Sequence, residues 1–547
     1  MTAAGPQEFE KGRSAGHAQT LSAVEAALWA RDMPKAMTLS ERAVGEGAEH
    51  PTLLSLAALG RMRAGANDSA LPLLLRARQQ MPNHLDLLYA LGECLSRLGR
   101  PREAVEAFDA AIKVKPEARS HFGRALALED LSELDAARAG FERTLALNPA
   151  QSAALSRLAL LAVQRGDLKA ARELANRALA IDVNDVTAGI AMAQAALAEK
   201  DIATAERVVA AISQLPDLGP VNRAFALSLA GDVLDAQDRP AEAFAAYAQS
   251  KAILRGAYAP NMEGLESVAA REARLIEYFA AADPSAWRAT VPEAPRTHVF
   301  LVGFPRSGTT LLEQVLASHP DVTAMEERTC LQDSAVAFFG SNADLDRLAG
   351  LSDADLESWR QAYWKRVGEA GITPSSPVFV DKMPLNSVFL PLIAKLFPRA
   401  KVILALRDPR DVVLSCFRRR FALNPGMYEF TTLETSVAYY GAVMRLIEIY
   451  RGKLALDLVE TRHEGLVTDF EKETRKLCDF LGLPWREEMR AFAGRAAAQN
   501  IDTPSSAQVA GGLSDAGLGQ WRRYARELTP VLPLLAPFVR QFGYSEH

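Results

Sequence analysis

The chain has 547 residues, 49% of them apolar and 24% charged, an ordinary balance for a soluble globular protein long enough for several domains. Lys and Arg number 62 against 67 Asp and Glu, a net charge of −5, so no global charge favours nucleic acid or an anionic membrane. The four cysteines (Cys94, Cys330, Cys416, Cys478) are scattered without C-x-x-C spacing, which excludes a metal cluster of that type and suggests thiols kept reduced. The N-terminal stretch lacks an apolar h-region, and nowhere do about 18 apolar residues run uninterrupted, so neither a signal peptide nor a membrane helix is expected. The expected location is the cytoplasm.

In chain order, residues 1–16 are expected as a flexible N-terminus. Small residues then recur at a fixed interval: Ala36, Ala70, Ala104, Ala137, Ala171 and Ala205, at steps of 34, 34, 33, 34 and 34. A second series follows seven residues behind, at Ala43, Ala77, Ala111, Thr144 and Ala178. Pro82, Pro116, Pro149 and Pro216 close the units, and Leu98-Gly99-Arg100-Pro101 and Arg165-Gly166-Asp167 mark turns inside them. Two antiparallel helices approach closely where side chains are small, with Phe108 or Phe141 filling the gap to the next pair. The pattern resembles the tetratricopeptide repeat (TPR), a helix-turn-helix of about 34 residues. Six units run from about residue 17 to 220, with a degenerate seventh near Ala224–Ile253, so the solenoid is taken as 17–254. The resemblance implies a surface for a peptide, a partner or a second copy of the chain as a homodimer. Residues 255–295 read as a linker with one helix, Glu263 to Ala281, and a proline-marked end at Pro292-Glu293-Ala294-Pro295.

From residue 296 to 547 the pattern changes to α/β. The apolar run Val299–Val302 stops at Gly303, the loop Phe304-Pro305-Arg306-Ser307-Gly308 follows, and a helical pattern opens at Thr309-Thr310. A strand, a glycine turn and a helix start make an anion-binding corner, because the first helical N–H groups and the dipole face the loop. The spacing matches the P-loop G-x-x-x-x-G-K-[ST] except that Thr309 stands in place of lysine. Further apolar runs lie at 378–380, 402–406 and, more weakly, 456–459, with helical stretches at 390–397, 411–421 and 433–450 between them. Such alternation implies a parallel sheet, with ligands outside the carboxyl ends of its strands. Three cations, Arg306, Lys382 and Arg407, stand there. Val378-Phe379-Val380-Asp381 imitates a Walker-B strand, but the missing lysine counts against a nucleoside triphosphate.

The loop Pro305-Arg306-Ser307-Gly308-Thr309-Thr310 resembles the 5′-phosphosulfate loop of sulfotransferases. Arg407-Asp408-Pro409-Arg410-Asp411-Val412-Val413-Leu414-Ser415 resembles their 3′-phosphate motif. Asp381-Lys382-Met383-Pro384-Leu385-Asn386, Glu460 to Val467 and Phe480 to Trp485 resemble further blocks of the family, with His463 where tyrosine is usual. His319-Pro320-Asp321-Val322 followed by Glu326-Glu327 is similar to the tyrosylprotein sulfotransferases.

The resemblance implies the donor 3′-phosphoadenosine-5′-phosphosulfate (PAPS), the product 3′-phosphoadenosine-5′-phosphate (PAP) and no metal. It gives Pro305 to Thr310 to the 5′-phosphosulfate, and Arg407 and Ser415 to the 3′-phosphate. Arg418 or Arg419 is a further contact there, unless the basic run 418–420 is a solvated helix face. Glu327 becomes the catalytic base, Arg306 and Lys382 stabilise charge on the bridging oxygen, and Ser505 of Thr503-Pro504-Ser505-Ser506-Ala507-Gln508-Val509 lies at the reaction centre. As plain structure, Glu327 would be a helix-start acid, Lys382 a solvated lysine, and Arg407 half of an ion pair with Asp408 or Asp411. Ala510-Gly511-Gly512 and Arg328-Thr329 depart from the family pattern near the expected acceptor side. The first-choice acceptor is a peptide tyrosine held by the repeats. A carbohydrate or small-molecule hydroxyl is the alternative, and outside the class a non-catalytic TPR scaffold.

Overall fold

A computed structural model describes residues 19–289, 296–498, 509 and 511–546. The expected flexible N-terminus, the end of the linker at 292–295 and Ser505 lie outside the described residues. The chain divides into two compact units, Met1–Leu161 with Ala170–Ala188, and Ala162–Lys169 with Gly189–His547.

In the first unit helices of 13 or 14 residues follow one another as antiparallel pairs, for example Pro51–Arg63 with Asn67–Gln80 and Leu85–Arg97 with Pro101–Val114. Ala36, Ala70, Ala104, Ala137 and Ala171 are wholly buried, as their spacing predicts. The ring of Phe108 takes the gap: a Cβ at Gly92 or Gly123 would lie 2.7 or 2.6 Å from it. Between the helices of each pair one residue turns left-handed, and it too recurs at Arg31, Gly65, Gly99, Ser132, Gly166, Lys200 and Asp238. Where it is not glycine the turn costs about 1–2 kcal/mol, so packing of the pair holds it there.

The second unit opens with the end of the repeat array. Its last pair, α1 (Pro220–Ala236) and α2 (Pro240–Tyr258), is longer than the others at 17 and 19 residues, and each helix starts on proline, whose fixed φ suits that position. The segment expected as a linker forms α3 (Val268–Ala281), capped by Ser267. It is no loose connector: Leu275 and Phe279 are fully buried in the same core as the sheet, and Phe279 meets Tyr450 edge-on at 5.0 Å.

Among the described residues five strands, β1 (Thr297–Gly303), β2 (Val322–Glu326), β3 (Val378–Lys382), β4 (Lys401–Leu406) and β5 (Asp457–Arg462), form one parallel sheet in the order β2-β3-β1-β4-β5. The apolar runs predict β1, β3, β4 and β5. They miss β2, an edge strand of mixed burial, which lacks the continuous apolar run of a strand covered on both faces. Four helices flank the strand ends and position the site: α4 (Thr309–Ala317), α5 (Asp353–Glu369), α6 (Pro409–Arg418) and α7 (Leu433–Lys453). With β1 in the centre, the loop after it lies between the carboxyl ends of β3 and β4.

Candidate active site

The loop from β1 to α4 is shaped by close approach. A Cβ on Gly303 would sit 2.7 Å from the carbonyl oxygen of Ala405 on β4. Gly308, the N-cap of α4, has φ +91°, and a Cβ there would lie 2.6 Å from His463 Nδ1. Arg306 holds φ +72°, a strained conformation for an arginine that persists only when surroundings impose it. They do: Arg407 Nη1 donates to the Arg306 carbonyl at 3.2 Å, Arg306 Nε donates to Ser415 Oγ at 2.9 Å, and Phe304 packs among Phe430, Tyr439 and Tyr440.

Beside this loop lies a cavity of about 500 Å³, lined among others by Arg306, Gly308, Arg407, Ser415, Arg419 and His463. Burial, and then the neighbouring Arg419 and Arg407, push the Arg306 guanidinium down to about 9. Crowded, desolvated cations of this kind favour an anion among them. Burial also pushes His463 down to about 3, with Arg407 and Arg306 adding to it, so its ring is neutral at pH 7. Arg407 Nε and His463 Nδ1 are buried without a hydrogen-bond partner. Two orphaned polar atoms, a helix N-cap without a Cβ and converging arginines fit a phosphorylated nucleotide such as the donor the sequence implies.

Arg407 is not half of a pair with Asp408 or Asp411. Asp408 caps α6 and binds Arg410, and Asp411 accepts the backbone N–H groups of Gly519 and Trp521 at 2.7 and 2.8 Å. Arg407 instead donates to the carbonyls of Arg306 and Gly517. The basic run is not a solvated helix face either: Arg418 is 14% exposed and paired with Asp235 of α1, while the Arg419 side chain lines the cavity. Gly511 and Gly512, where the sequence departs from the family pattern, also line it.

Lys382 and Glu327 come together at the ends of β3 and β2, where Glu326 and Lys382 are in register. Lys382 is fully buried, neither solvated nor part of the cavity lining, and its ammonium has three carboxylates around it. Glu327 Oε1 is at 2.9 Å, Glu313 Oε2 at 3.2 Å and Glu326 Oε1 at 3.7 Å. Burial works against its charge, but Glu313, Glu327 and Glu326 outweigh it and hold Lys382 above the usual lysine range. Glu327 keeps 35% of its side chain exposed, which leaves it open to an incoming molecule. Burial raises Glu313, an acid that sequence reasoning missed; its signal was a glutamate inside an otherwise apolar helical stretch.

The Walker-B reading of Asp381 fails on geometry. Adjacent residues of a strand face opposite ways, so with Lys382 toward the glutamates Asp381 faces α5. There Tyr363 donates to Asp381 Oδ2 at 2.8 Å and accepts from His298 Nε2 at 3.0 Å. Burial pushes Asp381 up to about 7.

A parallel sheet whose central strand feeds a glycine-bounded loop and a helix start, with arginines at neighbouring strand ends, defines a P-loop-like group-transfer domain. Residues 298–487 match the sulfotransferase family, and residues 61–129 and 122–185 match the tetratricopeptide repeat. The chain therefore carries a sulfotransferase-family enzyme domain behind tetratricopeptide repeats. It is similar to an uncharacterized protein of Aquifex aeolicus (strain VF5), 29% identical over 43% of this chain and 32% of that protein, so it spans about a third of that relative's length. It is similar also to protein-tyrosine sulfotransferase 1 of Danio rerio, 27% identical over 46% of this chain and 72% of that one. Among solved structures, a thermophilic TPR protein of Thermus thermophilus is 26% identical over 33% of this chain and 98% of its own, with a TM-score of 0.27.

Proposed function

We propose that the protein transfers a sulfuryl group from PAPS to an acceptor hydroxyl, with the phenol of a peptide tyrosine as first choice. The observation that carries this reading is the convergence of Arg306, Arg407, Ser415 and Arg419 on one cavity beside the start of α4. In this reading the backbone N–H groups of Ser307 to Thr310 and the Arg306 guanidinium bind the 5′-phosphosulfate. Arg407, Ser415 and Arg419 bind the 3′-phosphate. The donor supplies the sulfuryl group: the acceptor oxygen bonds to sulfur while the bond from sulfur to the bridging oxygen breaks. Glu327 takes the acceptor's proton, Arg306 meets the charge left on the bridging oxygen, and Lys382, buried outside the cavity lining, holds Glu327 in place rather than meeting that oxygen as the sequence suggests.

A peptide acceptor is supported by the likeness to proteins named protein-tyrosine sulfotransferase and by stacked helix pairs that offer an extended surface. Calorimetry should detect PAP binding that Arg407→Ala abolishes; a wild-type protein that binds no PAP would overturn the donor assignment and favour a scaffold. Transfer of ³⁵S from labelled PAPS in a cell lysate then separates acceptors. Label released as tyrosine sulfate supports the proposal, and label confined to glycans or small molecules replaces the tyrosine.

A further inference from the structure

Resting on the donor reading above, we infer that the last helix pair of the repeat array is a built part of the donor site, with Lys251 as a positioning residue that aims Arg419 at the bound 3′-phosphate and Asp235 as one that anchors the neighbouring Arg418.

Three consecutive arginines stand at and just past the end of α6, and residues of α1 and α2 hold each of them within the second unit. Arg418 Nη2 pairs with Asp235 Oδ2. Lys251 Nζ donates to the Arg419 carbonyl at 2.6 Å. Arg420 Nη1 donates to Ser228 Oγ at 3.2 Å and lies 3.7 Å from Asp232 Oδ2. Phe244 of α2 stacks on Phe417 with ring centres 5.2 Å apart, so apolar packing backs the polar contacts.

The chain leaves the helix at Arg419, which is already extended at φ −79°, ψ 152°. The path it takes there decides where the Arg419 side chain points, and the Lys251 bond to its carbonyl fixes that path. A buried lysine on a carbonyl at a helix C-terminus also complements the dipole. Asp235 does two things at once. It lines the cavity itself, and besides Arg418 it accepts from Tyr524 Oη at 2.6 Å and pairs with Arg523 at 2.8 Å. Arg418 Nη1 donates to Gln520, another cavity residue, at 3.1 Å. A buried ion pair of this kind fixes geometry more than it adds stability, since well-packed apolar residues would serve stability as well or better.

The test uses the full chain and calorimetry with two probes, PAP and adenosine 5′-phosphate, which lacks the 3′-phosphate. Lys251→Met and Asp235→Asn are expected to weaken PAP about tenfold and leave adenosine 5′-phosphate within about twofold. With donor in a transfer assay, KM rises by the same factor while kcat holds. Lys251→Arg keeps a donor for the Arg419 carbonyl and should retain the wild-type preference for PAP. Variants that bind both probes as wild type does would overturn the inference. So would an equal loss of both probes with a lowered melting temperature, the mark of a merely structural role. A wild-type protein that binds neither probe overturns the donor reading itself, and is thereby distinguishable.

Discussion

Arg306 Nε donates to Ser415 Oγ at 2.9 Å across 109 residues of sequence, tying the loop after β1 to the second turn of α6. The serine lines the same cavity as Arg306 and Arg407. Ser415→Ala leaves the Arg306 Nε–H without that acceptor in a buried site, a cost of about 1–3 kcal/mol. PAP affinity should fall about tenfold in a calorimetric titration, and Arg407→Ala, which also releases the Arg306 carbonyl, should lose more.

Gly308→Ala tests the cradle. The added Cβ meets His463 Nδ1 and the backbone remains at φ +91°, a strain of about 1–2 kcal/mol. The variant should fold with a slightly lower melting temperature and lose PAP binding in titration. Combining it with His463→Ala removes the clash but not the strain, so binding should return only in part.

Glu327→Gln should lower kcat by about 10²–10⁴-fold while PAP affinity stays within about twofold. Lys382→Met does something different, because it strips the cation from Glu313, which is buried. A broken buried pair costs about 3–5 kcal/mol, so thermal unfolding should show a marked loss, and adding Glu313→Gln should recover part of it. An additive double variant would sink the idea that the two charges depend on each other.

Asp381 makes stability depend on pH in a direction opposite to that of a typical paired carboxylate. Its folded value is raised to about 7 from 3.8, so between those pH values the folded protein binds more protons than the unfolded chain. Stability from this group is therefore greatest in acid and declines as pH rises through 7. His298, pushed down to about 3 by burial and then Arg296, works in the other direction, losing stability as pH falls below about 6.5. Asp381→Asn isolates the carboxylate: the variant should melt higher than wild type above pH 7, with the difference fading toward pH 4. Equal melting curves at pH 8 would contradict it.

Much of this was open to view in the chain alone, for a definite reason. Repeats and strand-loop-helix corners are local: the alanines at steps of 33 or 34 residues, the apolar run ending at Gly303 and the serine two turns into α6 declare themselves by spacing, and the described helices and strands follow them. The convergence of Arg306 and Arg407 was likewise legible, because a parallel sheet sends its strand ends to one edge. Edge strand β2 was not, since half-exposed strands lack a continuous apolar run.

What only the tertiary structure decided is where side chains of distant elements meet. The sequence by itself determined the helical repeats, the parallel sheet and the loop with its arginine. It could not reveal that Glu313 shares Lys382 with Glu326 and Glu327, or that Asp381 turns its back on the loop. Nor could it reveal that Asp235 and Lys251, in the repeat array, hold Arg418 and the Arg419 carbonyl beside the cavity. Spacing along the chain encodes local geometry, whereas burial and the charges brought together by packing between elements distant in the chain have no signature in spacing at all.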